Sequence, residues 1–105
     1  GSYGIPKAAT LFLMKQLALE LGEFGIRVNG VNADRIRSGI LSDEMIASRS
    51  ISRNVSETEY MTGNLLNQEV FAVDVGQAFL SLTQMDKTTA HVITVDGGNI
   101  EASLR

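Results

Sequence analysis

Cysteine is absent from this chain of 105 residues, and histidine occurs only once, at His91. Without thiols the chain can form neither a disulfide nor a thiolate metal site, which is consistent with a reducing compartment. The single imidazole has no second ligand-type residue at a metal-binding spacing. We therefore interpret His91 as a bystander and expect no metal site.

Long apolar runs and an excess of basic residues are also missing. No run approaches the ~18 apolar residues that a membrane span needs, and no signal peptide is recognisable. Lysine and arginine number 9 against 12 acidic residues, and the net charge of −3 argues against a nucleic-acid partner. With 44% hydrophobic residues the chain is too apolar for disorder. We expect a soluble, cytoplasmic protein that contacts neither membranes nor nucleic acid.

A glycine-rich phosphate-binding turn is also absent from the sequence. Neither Gly-x-x-x-Gly-x-Gly nor Gly-x-Gly-x-x-Gly occurs before a helix. Such a turn lets backbone amides approach the pyrophosphate of a dinucleotide. We therefore expect this chain by itself to bind no NAD or NADP.

The first residues of the chain do carry a chemical signal. Tyr3 and Lys7 are four residues apart at the start of a helical pattern, so their side chains can share one helix face. A lysine ammonium close to a phenol favours the phenolate and would lower the pKa of the tyrosine toward working pH. Such a tyrosine can move protons, although the same spacing is also common in ordinary packing.

Later segments place this pair in a family context. With the Tyr-x-x-x-Lys pair they resemble, in order and interval, the C-terminal half of a short-chain dehydrogenase/reductase. The matching segments are Ile26–Asn29, reading Ile-Arg-Val-Asn, Asp74–Leu80, which resembles the family's last long helix, and Val95–Gly98, reading Val-Asp-Gly-Gly.

The resemblance implies an α/β fold: the C-terminal fragment of a doubly wound Rossmann-type domain, with two parallel strands and helices, over residues 1–105. It implies a parent NAD(P)-dependent oxidoreductase that moves a hydride between nicotinamide and a small alcohol, aldehyde or sugar-derived substrate. Tyr3 would be the proton donor or acceptor, and Lys7 would lower its pKa and bind the nicotinamide ribose. The family's catalytic serine lies before the tyrosine and is not in this chain, so the chain alone is expected to be inactive.

Two departures from the family pattern stand near these residues. Pro6 replaces the usual serine or alanine before the lysine, and a first-turn proline is tolerable because its missing N–H has no helical partner. After the first strand, Asn32–Ser38 reads Asn-Ala-Asp-Arg-Ile-Arg-Ser where the family usually has Asn-Pro-Gly-x-Val/Ile-x-Thr. The nicotinamide-side loop is therefore altered.

Four residues of that altered loop are candidate binding residues. Ile36 and Ser38 correspond to family positions that contact the nicotinamide carboxamide, largely through backbone groups. Arg35 and Arg37 could hold a substrate carboxylate or phosphate through their guanidinium forks. Alternatively, the loop is ordinary and its two arginines are simply solvated.

One subgroup of the family shows a similar pattern in more detail. Tyr-Gly-x-Pro-Lys-Ala-Ala, followed by Val-Asn-Ala-Asp-Arg-Ile-Arg-Ser-Gly, looks like the dehydrogenase part of bifunctional aldolase/short-chain dehydrogenases. That resemblance implies a parent protein of the rhamnulose-1-phosphate aldolase/alcohol dehydrogenase type, with a metal-dependent aldolase preceding this chain. It would place the parent in rhamnose metabolism.

Periodicity and turn residues predict five secondary-structure elements. The segment from Ser52 to Gly63 is interpreted as the family's variable substrate lid, with a helix start at Ser56. The predicted elements are helices over Lys7–Leu21, Ser42–Ser50 and Asp74–Leu82, and strands over Ile26–Val31 and Val92–Val95.

Two strands leave a parallel sheet incomplete, and the first helix is apolar on more than one side. We therefore expect a homo-oligomer that buries the region of Leu11, Met14 and Ala18. The alternative to the enzyme is a non-enzymatic oligomerisation module in which the Tyr3/Lys7 pair is vestigial.

Overall fold

The computed structural model describes residues 4–99 and contains α-helices and a two-stranded sheet. Strands β1 and β2 pair directly, and their hydrogen bonds advance in the same direction along both strands, so the pair is parallel. The predicted α/β class with two parallel strands is confirmed. The elements are α1 (Gly4–Leu21), a 3₁₀ turn (Gly22–Phe24), β1 (Gly30–Ala33), α2 (Asp43–Ser52), α3 (Glu57–Met61), α4 (Ala72–Thr83) and β2 (Val92–Val95).

The contacts of the chain divide it into two compact units. The first unit comprises residues up to 31 together with 78–93, and the second comprises residues 32–77 together with those from 94 onward. The amino ends of both strands belong to the first unit, and their carboxyl ends belong to the second.

Helix α1 organises the first unit. It begins at Gly4, three residues before the predicted start, so Pro6 lies in its first turn as expected. Met14 and Ala18, one helical turn apart, are its buried residues. A Cβ on Gly30 would lie 3.1 Å from the Met14 sulfur, so glycine permits a close approach of β1 to the helix. The helix is followed by a left-handed Gly25, with φ at 75°.

The first strand is shorter and later than predicted. We expected it over Ile26–Val31, whereas the regular strand runs from Gly30 to Ala33. The preceding residues are tied down by side chains instead: the Val28 N–H donates to the Thr89 hydroxyl, and the Asn29 amide donates to the Thr88 carbonyl. The Val28 carbonyl still accepts from the Ala90 N–H at 2.8 Å, so these side-chain contacts interrupt the backbone pairing rather than abolish it, and the regular strand begins only at Gly30.

Arg27 closes the carboxyl end of α4 in the same unit. Its guanidinium donates to the carbonyl oxygens of Leu82, Thr83 and Met85 at 2.9 to 3.2 Å. The last carbonyls of a helix lack intrahelical partners and carry partial negative charge, so a cation there is stabilising. The family-like Ile-Arg-Val-Asn segment therefore contains a helix cap that the sequence reading did not assign.

Helices α2 and α3 form the compact part of the second unit. Both begin at predicted serines: Ser42 accepts from the Met45 N–H, and Ser56 forms a reciprocal capping box with Glu59. Their buried apolar side chains share one cluster with Leu41, which lies two residues before α2. The cluster contains Leu41, Ile46, Tyr60 and Met61.

The turn after β2 joins the segment that follows α3. Gly97 and Gly98 both have positive φ, at 69° and 85°, and their carbonyls accept from the N–H groups of Leu66 and Leu65. A Cβ on Gly97 would collide with the Asn64 side chain. Glycine is therefore required here by conformation and by space, which confirms the predicted tight turn.

Candidate functional site

The Tyr/Lys pair is only partly visible in the structure. Tyr3 lies outside the described residues. Lys7 lies in the first unit, in the first turns of α1, and is half-buried. Among residues 4–99 it forms no hydrogen bond or ion pair, so its ammonium is not committed to an internal contact.

The second unit contains the carboxyl ends of both strands and the loop that follows each of them. Asp34 comes directly after β1, and Asp96 comes directly after β2. The Asn99 amide donates to Asp34 at 3.1 Å, and Asp96 accepts from the Gly98 N–H at 2.8 Å. Open α/β sheets bind ligands at this edge, so these loops are the candidate site within the unit.

Two cavities mark this edge. A polar cavity of about 10 Å³, the space of a single water, is lined by both aspartates together with Arg35 and Asn64. A larger concavity of about 440 Å³ lies against the end of β2 and has a mainly apolar wall. Its apolar side chains are Leu65, Leu66 and Val95. It is a shallow depression that is widely open to solvent.

Arg37 forms ion pairs at the surface of the second unit. Its Nε and Nη2 donate to the two oxygens of Glu69 at 2.8 and 3.2 Å, and its Nη1 donates to Asp43 at 3.2 Å. The hydrogen bond to Glu69, with the charges of Glu69 and Asp43, raises the pKa of Arg37 above its ordinary value. Its fork is thus already engaged by two carboxylates.

Arg35 is engaged differently, by the lid. Its Nη1 donates to the Tyr60 carbonyl at 2.6 Å, and its guanidinium carbon lies 4.5 Å from the centroid of the Tyr60 ring. The backbone of Arg35 is left-handed, with φ at 53°. Arg35 and Arg37 were expected either to bind an anionic substrate or to be solvated. Both have partners within the protein, and their binding of an anionic substrate stays a prediction.

Tyr60 and Glu69 are the site-adjacent residues that sequence reasoning missed. Tyr60 lies on α3, which the capping box at Ser56 did locate, and a tyrosine in the first turns of a short amphipathic helix is a candidate for burial. Glu69 has no comparable signal, because its partner Arg37 is 32 residues away in sequence.

Ile36 and Ser38 belong to the same loop as Arg35 and Arg37. The Ser38 N–H donates to the Leu41 carbonyl at 3.1 Å, and the Ser38 hydroxyl accepts from the N–H groups of Ile40 and Leu41. Ser38 therefore has its hydroxyl proton, rather than its backbone N–H, to offer a ligand. Within residues 4–99 the Ile36 N–H makes no backbone hydrogen bond, which leaves it as a donor in this loop.

Two further properties concern metals and membranes. Across residues 4–99, histidine, cysteine and acidic side chains form no group of three that could hold a metal ion. In the same range no helix has both the length and the apolar character needed to cross a membrane.

The comparison with known families settles the membership of the chain. A family model of the short-chain dehydrogenase type, described as enoyl-(acyl carrier protein) reductase, matches residues 1–99. The chain belongs to the short-chain dehydrogenase/reductase family. The match includes Tyr3 and Lys7 and also the altered loop after β1.

A curated relative of this short-chain dehydrogenase/reductase chain is an uncharacterized oxidoreductase, YuxG, from Bacillus subtilis. It is 33% identical over 105 residues, which cover 92% of this chain but only 15% of the relative. The vibriobactin-specific 2,3-dihydro-2,3-dihydroxybenzoate dehydrogenase of Vibrio cholerae is 29% identical over 102 residues, covering 93% of this chain and 39% of that enzyme. The chain thus spans far less than half of these relatives.

Solved structures of the family have the same fold. A short-chain type dehydrogenase/reductase from Mycobacterium ulcerans is 31% identical, with a TM-score of 0.73 over 93% of this chain and 34% of that one. A small-chain dehydrogenase in complex with NADPH is 26% identical, with a TM-score of 0.69 over 87% and 39%. A 4-hydroxyisoleucine dehydrogenase mutant complexed with NADH and succinate is 26% identical, with a TM-score of 0.69 over 90% of this chain and 37% of that one. The Rossmann-type assignment is confirmed for this short-chain dehydrogenase/reductase chain.

Proposed function

We propose that this chain is the C-terminal part of an NAD(P)-dependent oxidoreductase that interconverts a carbonyl compound and an alcohol. The observation that carries the proposal is the family match over residues 1–99, which begins with the Tyr3/Lys7 pair. Solved relatives bind NADPH or NADH, so the nicotinamide cofactor is proposed without a choice between the two.

The proposed roles follow from the chemistry of each side chain. The nicotinamide supplies or accepts the hydride when it is bound. The Tyr3 hydroxyl gives its proton to the carbonyl oxygen in reduction and takes it back in oxidation. The Lys7 ammonium favours the phenolate and binds the ribose hydroxyls. The Ile36 N–H and the Ser38 hydroxyl would bind the carboxamide end of the cofactor.

The length of the Bacillus subtilis relative supports a finer proposal. Its alignment of 105 residues is 15% of that protein, which is therefore about 700 residues long, well beyond one dehydrogenase domain. We propose that the parent of this chain also joins an aldolase to its dehydrogenase. The substrate is then a small hydroxyaldehyde such as lactaldehyde, or a sugar-derived alcohol. An assay for metal-dependent cleavage of rhamnulose 1-phosphate tests this point.

The alternative of a non-enzymatic assembly module is not favoured, because the curated relatives are an oxidoreductase and a dehydrogenase. The two hypotheses differ in what the full-length protein does with nicotinamide. A catalytic parent turns over aldehydes with NADH or NADPH, whereas an assembly module does not.

Cofactor titration gives the first test. We expect the full-length protein to bind NADH or NADPH with a dissociation constant on the order of micromolar. We also expect it to oxidise one of these cofactors while it reduces lactaldehyde. Residues 1–105 alone should show neither activity nor tight binding, because the pyrophosphate cradle is not in this segment. Calorimetry on both proteins measures the difference. Micromolar binding by residues 1–105 contradicts the second expectation.

Assembly is a further proposal. We expected a partner to bury the region of Leu11, Met14 and Ala18; within the first unit Met14 and Ala18 are only 8% and 5% exposed, and Leu11 is partly buried. The outward face of α1 carries Ile5, Phe12 and Leu19, at seven-residue intervals and each at least 70% exposed. We propose that this stripe contacts a second copy of the protein.

Charge on this stripe should separate the copies. We expect Phe12→Asp combined with Leu19→Asp to convert the full-length oligomer into a monomer at micromolar concentration, because a carboxylate is costly to bury. Sedimentation equilibrium measures the mass, and Lys15→Asp on the same helix is the control. A wild-type protein that is already a stable monomer would rule out the proposal.

A further inference from the structure

We propose that Arg35 is a positioning residue that fastens the substrate lid to the loop carrying the nicotinamide contacts. The lid is the segment Ser52–Gly63, which begins at the last residue of α2 and contains α3. This inference rests on the proposed dehydrogenase function for its consequence in catalysis. Its structural part rests on contacts within the second unit alone.

One guanidinium makes both a hydrogen bond and a cation–π contact with the lid. Arg35 Nη1 donates to the Tyr60 carbonyl at 2.6 Å, and the guanidinium carbon lies 4.5 Å from the centroid of the Tyr60 ring. A Cβ added to Gly63 would be 3.0 Å from Nη1, so glycine there leaves room for the arginine. The planar, five-donor guanidinium can stack and donate at once, which a lysine ammonium cannot do.

Tyr60 transmits this attachment to the rest of the lid and to α2. It is 3% exposed and belongs to the same apolar cluster as Leu41, Ile46 and Met61. A side chain packed against both helices cannot shift without disturbing them. Holding Tyr60 therefore holds α2 and α3 together as one body.

The backbone of Arg35 indicates that the attachment is built in. A positive φ is uncommon for a residue with a long side chain and persists where the surroundings determine it. The side chain of Arg35 is only 24% exposed, and its one ion pair, with Asp34, is long at 3.8 Å. The main contacts of Arg35 are thus with the lid.

The position of Arg35 in sequence gives the attachment its function. Ile36, the proposed carboxamide contact, follows it directly, and Ser38 is two residues further. The lid is therefore attached at the loop that is proposed to meet the reacting end of the cofactor. Loss of the attachment should weaken substrate binding under the lid while leaving the proton chemistry of Tyr3 in place.

Arg53 provides a matched control. Its guanidinium carbon lies 5.2 Å from the same Tyr60 ring, but Arg53 caps α2 and lies within the lid itself. Removing Arg53 takes a cation from the ring without detaching the lid from the loop. Arg37 reaches Asp43 at the start of α2, some distance along the chain from Tyr60, and remains in both variants.

Hydrogen exchange of the full-length protein tests the attachment without any substrate. In Arg35→Ala we expect the amides of Tyr60 and Thr62, which donate within and just after α3, to exchange about tenfold faster than in the wild type. In Arg53→Ala the same amides should change less than about threefold. Equal rates in the wild type and Arg35→Ala, or equal acceleration in both variants, would overturn the proposal.

Steady-state kinetics with lactaldehyde and NADH or NADPH tests the consequence. We expect Arg35→Ala to raise KM for the aldehyde about tenfold with kcat within about threefold, and Arg35→Lys to recover part of the loss because it keeps the charge. If Arg35→Ala fails to fold, Arg35→Lys is taken through both measurements. A loss confined to kcat overturns the positioning role. Absence of turnover in the wild type contradicts the proposed function, and the exchange rates still decide the attachment.

Discussion

Replacing Tyr3 by phenylalanine in the full-length protein should lower turnover by about 10²- to 10⁴-fold while leaving nicotinamide binding nearly intact. Phenylalanine keeps the ring and its packing but removes the oxygen that gives or takes the proton. Because no cofactor contact is proposed for that oxygen, the loss should fall on kcat. The loss identifies Tyr3 as the acid/base of the proposed reaction.

The measurement is the initial rate of nicotinamide oxidation with lactaldehyde, together with the cofactor affinity from fluorescence titration. Thr10→Val is the control, because it removes another hydroxyl from α1, one that donates only to the Pro6 carbonyl. We expect the control to retain turnover within about threefold. Near-normal turnover of Tyr3→Phe would refute the assigned chemistry.

Much of the fold follows from local signals in the sequence. Serine caps with acidic residues in the first turn located the starts of α2 and α3 to within one residue, because the capping hydrogen bonds are local. The Gly97-Gly98 pair located the turn after β2, because its positive φ values favour glycine. The parallel pairing of β1 and β2 came from the resemblance and the strand–helix–strand order.

The parts that could not be predicted depend on contacts distant in sequence. The Ile26–Asn29 segment has a strand-like pattern, yet Asn29 bonds to Thr88 and His91, some 60 residues away, and the regular strand begins later. Nothing in the local pattern shows such a partner. The burial of Met14 and Ala18 likewise could not be predicted, because helix α1 has apolar residues on most of its faces. The sequence does not show which of these faces packs against the rest of the first unit.

The arginines of the loop after β1 illustrate the same point at the candidate site. Residue type alone left ligand binding and solvation open for Arg35 and Arg37. Asp43 is only six residues from Arg37, but Tyr60, which engages Arg35, and Glu69, which engages Arg37, lie 25 and 32 residues later in the chain. The loop that departs from the family's Asn-Pro-Gly pattern is thus the loop whose arginines attach to the segments around it. We infer that the departure of this loop from the family pattern allows its arginines to make these contacts.

Replacing Lys7 by alanine in the full-length protein should reduce both turnover and cofactor affinity. A charge-assisted hydrogen bond to the ribose is worth enough to weaken nicotinamide binding by about 10- to 100-fold. Loss of the ammonium beside the phenol should lower kcat by about 10²-fold as well. Since the Lys7 ammonium makes no ion pair or hydrogen bond within residues 4–99, its removal breaks none there.

Calorimetric titration with the cofactor and the initial rate with lactaldehyde measure the two effects separately. Lys15→Ala is the matched control, because Lys15 is an exposed lysine on the same helix and the helix propensity changes equally in both variants. A Lys7→Ala protein with reduced kcat and unchanged cofactor affinity would leave Lys7 only its effect on Tyr3 and exclude the ribose contact. If kcat and the cofactor affinity are both unchanged in Lys7→Ala, Lys7 has neither the effect on Tyr3 nor the ribose contact. The Lys15→Ala control shows how much the loss of any lysine on this helix changes the two values.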